Sequence, residues 1–373
     1  MKTRDAVLLY QNSESDTKVE TIDLNFVDPI SAIDLEVSCV NGTTSNVGNF
    51  ISDIVTKIEV VDGSDVLTAL NLSQLEALQF YKTGKTPALS VSEFGSANQK
   101  SNTTLFFGRH LWDRSYALNP DSYTNPQLKV SFNKAAVRAA SATEAFGTGD
   151  TIKLTVVAKL MEEFAAPKEF LMQKQVDSFT SVSSGDKRID LARDYPYRML
   201  MLRAFAQGSD IHEIIGNVKL SCDTDKYVPF DRKTDQIEQD VMNTFGVSRV
   251  KHGIYAKNSS TVRLLHNLEP DCRLFSYGDR APKCFGICYQ CSSNLFLRMY
   301  DLGTPLVVSD EENVNMVEEG HGIHATLPIV FGRYHEPDTW FNPKAYSKFE
   351  LVLDQDAADG VCEIVAEQVR TQA

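Results

Sequence analysis

The chain contains no run of about 18 apolar residues, so no helix in it is built to span a bilayer. Positive charge is in short supply: 37 Lys and Arg stand against 50 Asp and Glu, a formal charge of −13. That deficit, with the basic residues dispersed, excludes a protein that coats nucleic acid, and no direct nucleic-acid binding is expected. Low-complexity tracts are absent, which leaves a globular composition of 42% hydrophobic and 23% charged residues. The seven cysteines (Cys39, Cys222, Cys272, Cys284, Cys288, Cys291, Cys362) are odd in number and unevenly placed. Near the N-terminus only residues 6–9 form an apolar patch, too short for a signal h-region. A protein kept inside a cell, with reduced thiols, is therefore expected.

Catalytic signatures are missing as well. There is no Gly-x-Ser-x-Gly, no Cys/His pair in a nucleophile setting, and no carboxylate pair at repeated positions. No catalytic residue and no cofactor is assigned, and a protein that is not an enzyme is expected. Thr83-Gly84-Lys85-Thr86 invites a phosphate-loop reading, but Gln79 stands where that loop needs its first glycine, so an ordinary turn is expected. Cys284-x-x-x-Cys288-x-x-Cys291, with Cys272 upstream, supplies four thiols and is the candidate zinc set. It lacks two paired Cys-x-x-Cys knuckles, and residues 287–291 alternate as a strand, which would set Cys288 and Cys291 on opposite faces. The other reading is small buried residues within an inserted segment, and no metal is assigned. His321 and His324 are spaced His-x-x-His with no suitable Glu following, so an acidic loop entering a strand is expected there. Asp310-Glu311-Glu312 is an exposed turn in the simplest reading, with calcium as the alternative.

What the chain does contain is a long internal repeat. Phe107-Gly108-Arg109, then Asn119-Pro120-x-x-Tyr123, then alternating Leu128-x-Val130-x-Phe132 return as Phe331-Gly332-Arg333, Asn342-Pro343-x-x-Tyr346 and Leu351-x-Leu353. Upstream, Ile22-Asp23-Leu24 with Pro29 matches Ile189-Asp190-Leu191 with Pro196. Ile33, Leu35 and Val37 match Leu200, Leu202 and Ala204, and Ile51, Ile54, Ile58 and Val60 match Ile211, Ile214, Val218 and Leu220. The landmarks keep one order in both halves. A period this long marks a duplicated domain rather than a solenoid. The residues that repeat build turns and cores. Arg109 and Arg333 are the exceptions, expected either to hold carbonyls or a carboxylate within the domain or to cross a subunit boundary.

Short runs with period-two alternation dominate between turn signals such as Asn41-Gly42, Asp62-Gly63 and Asp359-Gly360. One helix is expected in each half, over 72–81 and 234–245. Many short strands with few helices point to an all-β protein of two tandem eight-stranded jelly rolls, with a short helix in each. The first domain is expected at 1–165 with an N-terminal arm at 1–16, facing inward or reaching a neighbour. The second is expected at 166–373, with a large loop insertion at about 246–320 projecting from one end as a tower.

Phe106-Phe107-Gly108-Arg109-x-Leu111-Trp112-Asp113-Arg114-x-Tyr116-x-Leu118, followed by Asn125-Pro126-Gln127-Leu128-Lys129-Val130, resembles the first-half signature of double jelly-roll major capsid proteins. These belong to tailless icosahedral phages and viruses of the adenovirus-like lineage. The resemblance covers most of residues 20–160 and, through the repeat, 189–369. It implies two rolls standing side by side and a homotrimer of pseudo-hexameric outline. Such capsomers pack against neighbouring capsomers to tile an icosahedral shell. It also implies penton or minor capsid proteins as partners and an internal viral membrane beneath the shell in some cases, with assembly in the host cytoplasm and residence in the virion. Two other readings stand beside it: a two-domain jelly-roll carbohydrate-binding protein or enzyme, and a minor capsid or spike component.

Overall fold

The computed structural model describes residues 1–373 apart from 44–45, 47–48, 141–145, 150, 207–208, 257–260, 265–268, 278–283, 292–293, 302–311 and 373. Over 252–319 and at 321 it describes backbone alone. In chain order the first half comprises β1 (Lys2–Glu14), β2 (Thr17–Asp23), β3 (Ile30–Val40), α1 (Ile51–Ile54), β4 (Val55–Asp62), β5 (Asp65–Leu70), α2 (Leu72–Thr83), β6 (Ala88–Ser92), β7 (Asn98–Phe106), β8 (Pro126–Asn133), α3 (Lys134–Ala140) and β9 (Ile152–Glu162). The second half opens with β10 (Glu169–Thr180), β11 (Gly185–Asp190), β12 (Tyr197–Phe205), α4 (Ile211–Ile214), β13 (Ile215–Cys222), β14 (Tyr227–Lys233) and α5 (Thr234–Phe245). It continues through β15 (Ser248–Ala256), β16 (Thr261–Leu264), β17 (Glu269–Tyr277), β18 (Cys284–Cys291), β19 (Asn294–Asp301) and β20 (Glu312–His321), and closes with β21 (Thr326–Val330), β22 (Phe349–Gln355) and β23 (Val361–Thr371).

Both halves use one strand order. The first packs the sheet β1-β9-β3-β7 on the sheet β2-β8-β4-β5, and the second packs β10-β23-β12-β21 on β11-β22-β13-β14. Position for position these are the same sandwich, with eight strands in each. The cores follow from alternation: Ile33, Leu35, Val37 and Cys39 of β3 are buried inward, while Asp34, Glu36 and Ser38 between them are half-buried. Leu128, Val130 and Phe132 of β8 do the same from the facing sheet. Strand β12 breaks the pattern, with Tyr197 through Leu202 all buried. A strand covered on both faces carries a near-continuous apolar run, and here the second cover is the other roll.

The repeated words fall on equivalent places. Phe107-Gly108-Arg109 and Phe331-Gly332-Arg333 follow β7 and β21, and the Phe107 and Phe331 N–H groups donate to Ser31 O and Arg198 O at 3.1 Å each. Asn119-Pro120 and Asn342-Pro343 open short 3₁₀ turns before β8 and β22, closed by Tyr123 N–H to Pro120 O and Tyr346 N–H to Pro343 O, both 3.0 Å. Gly108 has no room for a Cβ, which would lie 2.7 Å from Tyr116 O. Gly332 combines φ +64° with a backbone oxygen, Thr339 O, 2.1 Å from where a Cβ would sit.

Two expectations are corrected. Residues 1–16 are not an arm: residues 2–14 form β1, antiparallel to β9 from Lys2↔Glu162 to Glu14↔Ile152. As an edge strand β1 presents little of itself to the core, so Lys2-Thr3-Arg4-Asp5 shows no inward apolar alternation. The insertion at 246–320 is not a loop but a set of strands. β15, β20 and β17 extend the first roll's sheet beyond β6, where β15 pairs in parallel at Val91↔His252, and β16, β19 and β18 form a separate sheet. The division at 165/166 lies in the connection between β9 and β10.

Candidate functional site: the seam between the rolls

The two rolls meet along a seam built mainly by α2 and β7 of the first and by β10, β12 and β23 of the second. Helix α2 is started by a capping box in which Gln74 N–H donates to Asn71 Oδ1 at 2.8 Å and Asn71 N–H to Gln74 Oε1 at 3.0 Å. It is stopped by Gly84 in the left-handed region, whose N–H donates to Phe80 O. This is the Thr83–Thr86 segment, and it is a helix C-cap. A helix fixed at both ends carries Gln74, Glu76, Tyr81 and Lys82 against the second roll.

At the centre, Lys82 Nζ lies 2.5 Å from Glu367 Oε1, and Arg198 Nη1 lies 2.8 Å from Glu367 Oε2, with all three side chains at 1% exposure or less. Lys82 also donates to Gly108 O at 3.2 Å, and Gln173 donates from Nε2 to Phe106 O at 3.0 Å and to Glu367 Oε1 at 3.1 Å. The Arg198 guanidinium rests 3.7 Å from the centre of the Tyr334 ring and donates to Tyr334 O. Burial pushes Lys82 down to about 8 against the pull of Glu367. Burial alone would raise Glu367, but Lys82 and Arg198 outweigh it and hold the carboxyl below its ordinary value. The carboxylate is thus the firmly charged member and the ammonium the softer one.

Toward the inserted end, Tyr81 Oη donates to Thr326 O at 2.7 Å, Glu76 meets His324, and Gln74 Nε2 donates to Gln175 Oε1 and Glu363 Oε2. Arg203 pairs with the same Glu363 at 3.2 Å. Toward the opposite end, Leu171 N–H donates to Phe107 O, Phe107 packs edge-on against Phe170, and Arg370 pairs with Asp65. Strand β10 also adds to β5 in parallel at Lys174↔Ala69, which makes one continuous sheet of eight strands across both rolls.

No protein-family model and no curated protein matches the sequence. Solved structures do match it over its whole length. Major capsid protein P2 of bacteriophage PM2 is 13% identical with a TM-score of 0.56, over 100% of this chain and 98% of that one. The STIV MCP is 11% identical with a TM-score of 0.59, over 98% and 96%. PBCV-1 VP54 is 10% identical with a TM-score of 0.58, over 99% and 93%. The chain has the double jelly-roll fold.

Within this double jelly roll the repeated arginines part ways. Arg109 grips Asp113 with two bonds, Nε to Oδ2 at 2.7 Å and Nη2 to Oδ1 at 2.8 Å, and donates from Nη1 to His335 O in the second roll. Burial works to raise Asp113, yet this arginine holds it below the usual carboxylate range. Arg333 reaches only Glu336, and its side chain is 77% exposed. One serves the seam and the other faces outward. Tyr346 stacks on Tyr227 and Phe341 near the outer edge of the second roll, whereas Tyr123 stays in the first roll's core margin. His324 sits in the seam; the side chains of His321, Cys272, Cys284, Cys288 and Cys291 lie outside the described residues, as do Asp310 and Glu311, while the backbone of Glu312 opens β20. The remaining cysteines, Cys39, Cys222 and Cys362, are buried.

Lys82, Arg198 and Glu367 escaped the sequence reading because they lie outside the repeated words. The available signal was a difference between the copies: Arg198 on β12 and Glu367 on β23 stand where the first copy has Ser31 and Lys159.

Proposed function

We propose that the protein is the major capsid protein of a tailless icosahedral virus or phage, a structural protein and not a catalyst. The observation that carries this reading is the seam itself. Two rolls of one design are locked side by side by a continuous sheet and a fully buried ion cluster, so the chain behaves as a single two-lobed block. The full-length likeness to capsid proteins from PM2 and STIV supports it. Three such blocks offer six similar edges, which lets one chain pack hexagonally. In this reading homotrimers form pseudo-hexameric capsomers that contact neighbouring capsomers, and penton or minor capsid proteins fill the vertices. An internal membrane beneath the shell fits the same assembly. The protein is made in the host cytoplasm and resides in the virion. Light scattering on the purified full chain tests this: a mass of three chains is expected, and a monodisperse monomer at all concentrations would rule the reading out.

A further inference from the structure

The edge of the first roll formed by β5, α2 and β7 is covered, because β10 adds to β5 and places Phe170, Leu171 and Gln173 against the end of β7. The same edge of the second roll, formed by β14, α5 and β21, has no strand added to it among the described residues. Both β14 and β21 end their sheets among the described residues. Between them runs a groove of about 260 Å³ at α5 that continues into about 420 Å³ toward Tyr346, with Phe230, Val330 and Gly332 common to both parts. Tyr227 and Val228 on β14 are 47% and 36% exposed. The converse surface lies at the other end of the same chain. Strand β1 is the counterpart of β10, it too ends its sheet, and Val7 and Tyr10 on it are 62% and 74% exposed. Unpaired strand edges are templates for pairing with another chain.

We propose that β1 of a second copy of this chain adds in parallel to β14, as β10 adds to β5, with Ala6 opposite Asp231 of the second copy's neighbour. This rests on the capsid reading and names the contact that closes its ring. The register follows from the duplication. Lys174 lies opposite Ala366 on β23, the counterpart of Ala366 on β9 is Ala158, and Ala158 lies opposite Ala6, so Lys174 corresponds to Ala6. Strands β4 and β13 correspond at an offset of 160, as Ile58 does to Val218. Ala69 lies opposite Glu59 on β4, and Asp231 lies opposite its counterpart, Lys219, on β13. The pair Lys174↔Ala69 within the chain therefore becomes Ala6↔Asp231 between chains.

Both halves of this contact sit on one chain, are different surfaces, and have one strand edge unpaired among the described residues. Such a head-to-tail contact closes into a ring when its rotation allows. If it repeats the junction inside the chain, six like junctions come from three chains. The two kinds of junction differ in one respect. The place of Lys82 is taken by Thr244, from the matching helix caps Gly84 and Gly246, and that of Glu367 by Lys159. The junction between chains can therefore open without stranding the buried ion cluster.

Cysteine cross-linking of the full chain tests the register. Ala6→Cys, Asp231→Cys and the double variant are oxidised mildly after light scattering has fixed the assembly mass. The double variant is expected to give linked dimers and trimers on a denaturing gel. Each single variant should link no more than the unsubstituted protein, and an equal mixture of the two singles should link to dimers and stop there. An assembly larger than a monomer whose double variant fails to link, or in which Ala6→Cys links alone, overturns the junction and leaves the capsid reading standing. A monomer at every concentration overturns both.

Discussion

Lys82 and Glu367 meet across the seam, Nζ to Oε1 at 2.5 Å, one on a helix of the first roll and the other on the last strand of the second. Their sequence separation is most of the chain, so neither roll can complete this cluster alone. Arg198 on β12 supplies the second cation, and the carboxylate between them pairs with both.

Removing the shared anion should therefore be costly. Glu367→Gln leaves two cations buried together, and breaking a buried pair from one side costs about 3–5 kcal/mol. Glu336→Gln, which touches only the exposed Arg333, should stay within about 1 kcal/mol of the unsubstituted protein. Denaturant unfolding of the two variants checks this; equal losses would show that the cluster does not hold the rolls together.

The pH dependence has a definite sign. Lys82 titrates at about 8 when folded and near its ordinary 10.5 when unfolded, so between these values the unfolded chain binds more protons and this group's contribution to stability rises with pH. The cost of burying the ammonium is present below pH 8 and is relieved above it. Glu367 works the other way at the acid end: its lowered value contributes stability that is full above the ordinary carboxylate range and is lost as pH falls. In Lys82→Met the alkaline contribution vanishes, so the Tm of the parent minus that of the variant should grow from pH 7.5 to 10. A flat or shrinking difference would contradict the assignment.

The two repeated glycines should resist substitution more than the helix cap. Gly332→Ala forces a left-handed residue against Thr339 O, and Gly108→Ala forces a Cβ onto Asp113 and Tyr116. Gly84→Ala meets nothing closer than 3.8 Å and should cost only the left-handed penalty, about 1–2 kcal/mol. Thermal unfolding in which Gly84→Ala is the most damaging of the three would refute this ordering.

Much of this architecture was legible because duplication wrote it twice. Ile33, Leu35 and Val37 are buried, and so are their counterparts Leu200, Leu202 and Ala204, while the Phe-Gly-Arg and Asn-Pro-x-x-Tyr words mark turns whose backbone geometry leaves little choice of residue. Strand β1 was not legible, because an edge strand's charged residues pair across it, as Arg4 does with Glu162, and leave no apolar period. The seam was hidden for a different reason. Lys82, Arg198 and Glu367 are single residues far apart in sequence, and each one's counterpart in the other half (Thr244, Ser31 and Lys159) does a different job. Of the candidate positions, Arg109 proved to belong to the seam through Asp113 and His335 O, while Arg333 did not. Contacts between copies of a domain are where duplicated sequences must differ, so a repeat search passes over them.

Negative-stain microscopy of the purified full chain tests the central claim most directly, that this double jelly roll is a tiling unit. The account predicts particles of hexagonal outline with six lobes, each made of three chains. Isolated two-lobed particles, persisting at high protein concentration, would contradict it.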